Sequence, residues 1–349
     1  MEKISLLSFA KINLCLYVLS KRKDGYHQIL SVIQAIDLAD KLELTKTASG
    51  IKIECDSPDL PSDKGNLAYQ AASAFFKKSK TKGGVRLKLY KKIPLASGLG
   101  GGSSNAAFVL KGLNQLYETD LSKKELSSLG AKIGSDVPFF FSEGQALVKG
   151  RGEVVQNIDI FDKYWLVLVK PNFEVSTART YKALKRVSEK PYRGGRVSRC
   201  RIRTRCPTYP TDPGDEESIT YLKTHNSCNH VGRAPSPAKQ AFHKSLKIGL
   251  TTKPREVNLK FCRGKFSFFR AISSWENHLE MVVLKEYPII KNIKETLINL
   301  GAIKASMSGS GPTVYGLFET ESQAEEVKDK IGKGDWQIYL TRPTRLMKI

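Results

Sequence analysis

The feature that most constrains this chain is a glycine-rich stretch at residues 94–107, with the sequence PLASGLGGGSSNAA. Alternating apolar residues at 85–89 predict a strand before it, and apolar residues at helical spacing over 106–117 predict a helix after it. We expect Ser103 or Ser104 to cap the first turn of that helix. Glycines let the backbone approach a ligand closely, so the amides and the positive helix end would form an anion site suited to phosphate oxygens.

Two common phosphate-binding loops do not fit this stretch. A Walker A loop closes with Gly-Lys-Ser or Gly-Lys-Thr, and the stretch contains no such triplet. A dinucleotide fingerprint lies in a βαβ unit with a later ribose-binding acid, and those surroundings are missing here. The strand before and the helix after favour a phosphate site over the other interpretation of a glycine cluster, a flexible turn.

Composition bounds the class of protein. A chain of 349 residues is long enough for two domains. It has no run of about 18 apolar residues, and its first residues lack the pattern of a signal peptide. We therefore expect a cytoplasmic protein with no membrane partner. Six cysteines in a chain of this size do not indicate a disulfide framework.

Residues 9–18 carry the first polar candidates. Their alternation predicts a strand with Lys11 and Asn13 on one face, together with Cys15 and Tyr17. The shared face makes both residues candidates, although a solvated strand face fits the same pattern.

Two further segments carry candidate side chains. A turn at residues 24–25 is followed at once by Tyr26 and His27, an aromatic ring beside a polar ring. Asp136 lies between a glycine and a proline among apolar residues, which makes it a candidate half-buried carboxylate. From these segments alone, a structural histidine and an ordinary turn aspartate remain the alternatives.

Taken together, five segments resemble the GHMP small-molecule kinases. They are AKINLCLYVLSKRKDGYH (10–27), PLASGLGGGSSNAA (94–107), GSDVPFF (134–140), GRGE (150–153) and MSGSGPTVYGLF (307–318). The glycine stretch and SGSGP mark the family as a whole, and the first segment narrows the resemblance to members that act on a cytidine diphosphate compound. The SGSGP turn is expected to lie beside the glycine stretch.

The resemblance implies an α+β fold in two domains. An N-terminal ribosomal-protein-S5-like domain would cover residues 1–162, and a C-terminal ferredoxin-like domain would cover residues 163–349. Mixed strands and helices in the last third agree with the second assignment. The implied cofactors are ATP and Mg²⁺, with no dedicated protein metal site. The implied reaction is phosphorylation of the 2-hydroxyl of 4-diphosphocytidyl-2-C-methyl-D-erythritol, in the non-mevalonate pathway to isoprenoid precursors.

The same resemblance implies roles for the candidate residues. Asp136 would take the proton from the substrate hydroxyl, and Lys11 would hold the charge that develops between that hydroxyl and the γ-phosphate. The residues implied for the substrate are Asn13 near the reacting centre and Tyr26, His27 and Tyr181 around the cytosine. The residues implied for ATP are Asn66, Pro94, Leu95, Ala96, Ser97, Gly98, Leu99, Gly100, Gly101, Gly102, Ser103 and Ser104, with either serine available to a phosphate oxygen or Mg²⁺.

The segment at about residues 188–265 departs from the family pattern. It is rich in Arg, Pro, Ser and Cys and carries about half of the net charge of +23, which predicts a basic insertion of low order. It is open to three interpretations: a passenger without chemistry, a basic nucleic-acid-binding arm, or a metal site from Cys200, Cys206, Cys228 and His230. We expect the first, and no nucleic-acid partner.

Two other functions stay open from the sequence. One is a GHMP kinase that acts on a small alcohol without a nucleobase. The other is a catalytically impaired homologue whose basic insertion binds nucleic acid. Nothing in the sequence indicates an oligomeric state.

Overall fold

The structure is a computed structural model that describes residues 2–188, 265–332 and 334–346. The strands are β1 (Lys3–Lys21), β2 (His27–Thr47), β3 (Gly50–Cys55), β4 (Gly84–Tyr90), β5 (Gln145–Gly150), β6 (Val154–Asn157), β7 (Trp165–Pro171), β8 (Lys304–Met307), β9 (Val314–Phe318) and β10 (Trp336–Thr341). The helices are α1 (Leu67–Ser79), α2 (Gly101–Leu116), α3 (Lys123–Ile133), α4 (Thr177–Ser188), α5 (Lys265–Ile272), α6 (Glu280–Glu286), α7 (Pro288–Asn299) and α8 (Glu321–Lys330). The predicted insertion, with its three interpretations, lies outside the described residues except for its two end positions.

The first sheet has six strands. Five lie in the order β3-β4-β2-β5-β6, and β1 pairs antiparallel with β2. Helices α1, α2 and α3 pack on the sheet through a core that includes Phe75, Leu87, Val109 and Leu126. The predicted strand and helix around the glycine stretch are confirmed as β4 and α2.

The second sheet has four strands in the order β10-β7-β9-β8, and all of its pairings are antiparallel. Helices stand between β7 and β8, and α8 stands between β9 and β10. This is the arrangement of a β-α-β-β-α-β unit, so the predicted ferredoxin-like architecture is confirmed. No helix in the described parts of the chain is long and apolar enough to cross a lipid bilayer.

Strand β1 corrects one prediction from the alternation. A register shift between Asn13 and Cys15 interrupts its pairing with β2. Because a bulge moves the side chains beyond it to the other face, Cys15 and Tyr17 join the core cluster of Ile12 and Leu14 rather than the face of Lys11 and Asn13. The solvated strand face is also wrong, since Lys11 is 3% exposed and Asn13 is 4% exposed.

The end of the chain returns to the first sheet. Beyond β10, Pro343 bridges Ile36, and the amide of Thr344 donates to the carbonyl of Ala35 at 2.9 Å. Leu346 is buried in the core of the first sheet and its helices. The predicted division at residues 162 and 163 falls between β6 and β7, but residues 343–346 pack with the strands of the first sheet.

Candidate active site

The glycine stretch forms a turn between β4 and α2. Gly98 and Gly100 adopt positive φ values of 79° and 74°, and Gly100 is the N-cap of α2. The predicted serine cap is therefore wrong, because a left-handed glycine begins the helix earlier and places both serines inside it. Ser104 is fully buried and donates to the carbonyl of Phe9 at 2.6 Å, so it joins α2 to β1. Ser103 is half-buried.

The first amides of α2 are suited to an anion. The helix has no side-chain cap, and the first N–H groups of any helix have no partner within it. The positive end of the helix dipole acts at the same place. Gly101 and Gly102 put no side chain over these amides. The anion site at these amides stays a prediction from the sequence, and no side-chain cap occupies it.

A second glycine turn, residues 308–312, packs against the first one. The hydroxyl of Ser308 donates to the carbonyl of Gly98 at 3.0 Å, and the amide of Thr313 donates to the carbonyl of Ser97 at 3.3 Å. A Cβ at Gly98 would lie 2.3 Å from the carbonyl oxygen of Ser308. The two turns thus touch backbone to backbone, which confirms that SGSGP lies beside the glycine stretch.

Asn277 and Glu280 hold the second turn from behind. The amide of Asn277 donates to the carbonyls of Met307 and Gly309, both at 2.8 Å. The carboxylate of Glu280 accepts from the amide of Met307 and from the hydroxyl of Ser306 at 2.7 Å. Both residues are buried, so the position of the turn depends on the start of α6.

Lys11 joins the glycine stretch to the predicted catalytic acid. Its buried ammonium donates to the side-chain oxygen of Asn13 at 2.7 Å and to the carbonyl of Gly98 at 2.9 Å, and it lies 3.4 Å from the carboxylate of Asp136. The Asp136 side chain is 41% exposed and opens into the cleft, whereas the Lys11 side chain is 4% exposed. A fixed cation therefore sits between a backbone turn and a carboxylate that a ligand can reach.

The side chain of Asn13 is fixed on both sides. Its oxygen accepts from Lys11, and its nitrogen donates to the hydroxyl of Ser31 at 2.8 Å. Ser31 in turn donates to the carbonyl of Cys15 at 2.6 Å. This chain of hydrogen bonds orients Asn13 before any ligand binds.

Three aromatic side chains also line the cleft. His27 stacks on Tyr181, with ring centroids 5.3 Å apart and an interplanar angle of 22°. Tyr26 is 51% exposed, and the guanidinium carbon of Arg151 lies 5.1 Å from its ring centroid. Burial raises the pKa of the Tyr181 phenol well above its usual range, and the charge of Asp136 adds to the effect, so this phenol stays neutral. The stacking geometry shows that the ring packed against Tyr181 is that of His27.

A cleft of about 920 Å³ connects these groups. Half of the predicted residues line it, and these are Lys11, Asn13, Tyr26, His27, Ala96, Gly98, Gly100, Asp136 and Tyr181. The predicted residues outside its lining are Asn66, Pro94, Leu95, Ser97, Leu99, Gly101, Gly102, Ser103 and Ser104.

Asn66 lies near the glycine stretch but serves as a helix cap. Its side-chain oxygen accepts from the amide of Ala68, and its nitrogen donates to the carbonyl of Pro61, both at 2.9 Å. The next residue, Leu67, approaches to 3.5 Å the point where a Cβ of Gly102 would lie. The starts of α1 and α2 are therefore neighbours.

Sequence reasoning missed a buried network behind the glycine stretch. Lys91 pairs with Asp40 and donates to the side-chain oxygen of Asn105 at 3.0 Å. Asp40 also accepts from the amides of Lys92 and Ile93, both at 2.8 Å, at the entrance to the stretch. These residues come from β2, from the end of β4 and from α2, and no local pattern connects them. Arg151 was missed as well, although the GRGE segment contains it.

Comparisons with known proteins agree with this architecture. The family descriptions "GHMP kinases N terminal domain" and "GHMP kinases C terminal" match residues 66–144 and 261–335. A crystal structure of 4-(cytidine 5'-diphospho)-2C-methyl-D-erythritol kinase is similar with a TM-score of 0.65 at 25% identity, over 98% of this chain and 100% of that one. A homoserine kinase from Cytophaga hutchinsonii shares the fold, with a TM-score of 0.64 at 15% identity, over 100% of this chain and 96% of its own.

The fold and the two glycine turns thus define a small-molecule kinase of the GHMP class. Curated relatives named 4-diphosphocytidyl-2-C-methyl-D-erythritol kinase narrow the class further. The relative from Acetivibrio thermocellus is 35% identical over 98% of this chain and 99% of its own, and that from Clostridium kluyveri is 35% identical over 96% and 98%. This chain belongs to the family of 4-diphosphocytidyl-2-C-methyl-D-erythritol kinases. The predicted family and the α+β two-domain fold are confirmed, and the chain is a kinase.

Proposed function

We propose that this chain transfers the γ-phosphoryl group of ATP to the 2-hydroxyl of 4-diphosphocytidyl-2-C-methyl-D-erythritol. The observation that carries the proposal is the position of Lys11, whose one ammonium contacts the phosphate-binding turn at Gly98 and lies beside Asp136. Phosphoryl transfer needs mainly positioning and charge neutralisation, and this arrangement supplies both. The names of the relatives support the choice of substrate over an alcohol without a nucleobase.

Asp136 is the proposed acceptor of the hydroxyl proton. It is the one carboxylate among the described residues that line the cleft, and it lies beside a buried cation. Removing the proton as the new bond forms leaves the oxygen ready to attack, and Lys11 stabilises the negative charge that builds up between the two reacting groups. Asn13, held by Lys11 and Ser31, would bind the polyol near this point.

The glycine stretch fits the phosphates of ATP. Left-handed backbone at Gly98 and Gly100 turns the chain at the start of α2, whose first amides carry no side-chain cap. A Cβ at Gly100 would crowd the stem of Lys11 at 3.0 Å. When bound, ATP supplies the phosphoryl group, and Mg²⁺ would neutralise its phosphates. Oxygen ligands suit Mg²⁺, and the hydroxyl of Ser103 would supply one. Asn66, at the start of the neighbouring α1, is the proposed contact to the adenine end.

The aromatic end of the cleft is proposed to bind the cytosine. Tyr26 offers an exposed ring for stacking. The proposed role of His27, which also lines the cleft, is to bind the edge of the base. Tyr181 is the second aromatic surface, already stacked on His27. A base held by a ring face and by edge hydrogen bonds would distinguish this substrate from small alcohols that lack one.

The proposed setting is the cytoplasm. ATP and a cytidine diphosphate compound are polyanions, and polyanions do not diffuse across a bilayer. The proposed partner is the small-molecule substrate alone, within the synthesis of isoprenoid precursors.

Asp136→Asn tests the chemistry. The variant keeps the shape of the side chain but loses the base, so we expect kcat to fall by roughly 10²–10⁴ in an ATP-consumption assay with Mg²⁺ and the cytidyl substrate. Asp329→Asn, on the exposed face of α8, is the matched control and should behave as wild type. A kcat of the Asp136 variant within twofold of wild type would refute the role. Phosphorylation of mevalonate or homoserine in place of the cytidyl compound would refute the substrate.

A further inference from the structure

Tyr26 is the exposed ring of the proposed cytosine site, and the GRGE turn reaches it from the hairpin of β5 and β6. We propose that Arg151 is a positioning residue that acts through Tyr26 and thereby sets the affinity for the nucleoside end of the substrate. The inference rests on the proposed function, and it gives the GRGE turn a role of its own.

Arg151 is held in place from two sides. Its guanidinium donates to the carbonyl of Ala131 near the end of α3 at 3.1 Å, and its backbone amide donates to the carboxylate of Glu153 at 2.6 Å. The guanidinium carbon then lies 5.1 Å from the centroid of the Tyr26 ring. Among the described residues no carboxylate lies within ion-pair distance of the Arg151 guanidinium, although its charge helps the Arg22 hydrogen bond to lower the pKa of the Asp24 carboxyl.

The backbone of Tyr26 is anchored separately. Its amide donates to the carboxylate of Asp24 at 3.2 Å, and its carbonyl accepts from the amide of Arg22 at 2.8 Å. The Arg22 guanidinium pairs with Asp24 at 2.9 Å and lies 3.6 Å from Glu153. The loop that carries Tyr26 is therefore tied to the turn that carries Arg151.

The same turn also touches the catalytic end. Gly152 has a φ of 126°, and a Cβ there would lie 2.7 Å from the carbonyl oxygen of Ser135, the residue before Asp136. One turn thus contacts the backbone beside the proposed base and places a guanidinium near the ring proposed to stack on the cytosine.

The physical effect on Tyr26 is pre-organisation. An exposed aromatic side chain must lose rotamer freedom when a base stacks on it, and that loss weakens binding. A guanidinium over one face restricts the ring beforehand through a cation–π contact and leaves the opposite face open. Because the contact is made to Tyr26 and not to the ligand, its loss should weaken every ligand that stacks on Tyr26 by the same factor, whether or not it carries phosphate.

The test compares cytidine with cytidine diphosphate, measured as equilibrium dissociation constants by ligand-observed NMR or calorimetry on the full chain. For Arg151→Met we expect both to bind about threefold to tenfold more weakly than to wild type, the size of a partly exposed cation–π contact. In a Tyr26→Leu background the same substitution should have no further effect, because the ring through which it acts is gone. Arg86→Met, an exposed arginine on β4, is the control and should bind as wild type.

Three results would overturn the inference: unchanged binding of both ligands, a loss confined to cytidine diphosphate, or a loss that persists without the Tyr26 ring. The second and third would mean that Arg151 contacts the ligand itself. If Arg151→Met lowers the melting temperature, the same dissociation constants are measured for Arg151→Gln, which keeps a planar polar end without charge. Wild-type protein that binds neither ligand would instead refute the proposed cytidyl substrate.

Discussion

Gly98→Ala is expected to separate the two glycine turns. Gly98 has a φ of 79°, a left-handed conformation that costs an alanine about 1–2 kcal/mol. The added Cβ would also lie 2.3 Å from the carbonyl oxygen of Ser308 and 2.9 Å from that of Gly311, both backbone atoms that cannot rotate away. Ordinary van der Waals contact begins at 3.4 Å, so one turn must move by about 1 Å, the difference between 3.4 and 2.3 Å.

That displacement falls on the atoms that hold Lys11. The carbonyl of Gly98 accepts from Lys11 at 2.9 Å and from Ser308 at 3.0 Å, so a shift of this size breaks both hydrogen bonds or moves the ammonium. A misplacement of about 1 Å costs on the order of 10² in rate. We therefore expect kcat/KM for ATP to fall about a hundredfold, together with a loss of about 2–3 kcal/mol in the free energy of unfolding.

Gly332→Ala is the matched control, because Gly332 has the same φ of 79° but nothing within 4 Å of its Cβ position. The Gly332→Ala variant has an alanine in the left-handed conformation but no contact between its Cβ and another backbone atom. It should therefore lose about 1–2 kcal/mol of stability and keep full activity. The assays are ATP consumption under saturating cytidyl substrate and urea unfolding of both variants. Equal stability losses with wild-type kcat/KM in both would show that contact between the turns does not position Lys11.

Two further changes test buried charges away from the cleft. Burial lowers the pKa of Lys111 from 10.5 to about 8, and the charge of Lys123 adds to the effect. The charged form of Lys111 therefore destabilises the folded state fully below pH 8. This loss of stability becomes smaller between pH 8 and pH 10.5, because the folded state then binds fewer protons than the unfolded state. Lys111→Met should therefore add about 1–3 kcal/mol at pH 7 in urea unfolding, and a gain that stays constant up to pH 10.5 would contradict this cause. Glu280→Gln removes the charge that accepts from Met307 and pairs with Lys294, so we expect a loss of about 2 kcal/mol and a lower kcat/KM. A free energy of unfolding within about 0.5 kcal/mol of wild type would show that the second glycine turn does not depend on the Glu280 carboxylate.

Local patterns were sufficient to predict the strand and the helix around the glycine stretch and the shared face of Lys11 and Asn13. Alternation with a period of two puts Lys11 and Asn13 on one face, and the structure joins them by a hydrogen bond of 2.7 Å. The same alternation failed two residues later, because the bulge before Cys15 depends on pairing with β2 and leaves no mark in the sequence of β1. The serine cap failed for a similar reason, since Gly100 and the residues packed around it begin α2 before Ser103 is reached.

Contacts between distant segments were beyond sequence reasoning. Asp40 contacts both Lys91 and Asn105, which lie in different parts of the chain. The local sequence around each residue predicts only an ordinary strand end or helix turn. The placement of Arg151 over Tyr26 joins two hairpins that are separated by most of the first sheet's sequence. Contacts of this kind form only when the fold brings distant segments together, whereas turns and amphipathic faces are encoded in the local sequence.

The return of residues 343–346 to the first sheet has a consequence for the order of folding. Ala35 receives its hydrogen bond from Thr344, and the amide of Gln34 reaches the carbonyl of Thr344 at 3.3 Å. During synthesis these partners emerge from the ribosome only after the whole second sheet has been made, so the N-terminal half lacks these hydrogen bonds until then. Closing so long a loop is a late, non-local step. Folding of the first half is thereby coupled to completion of the second.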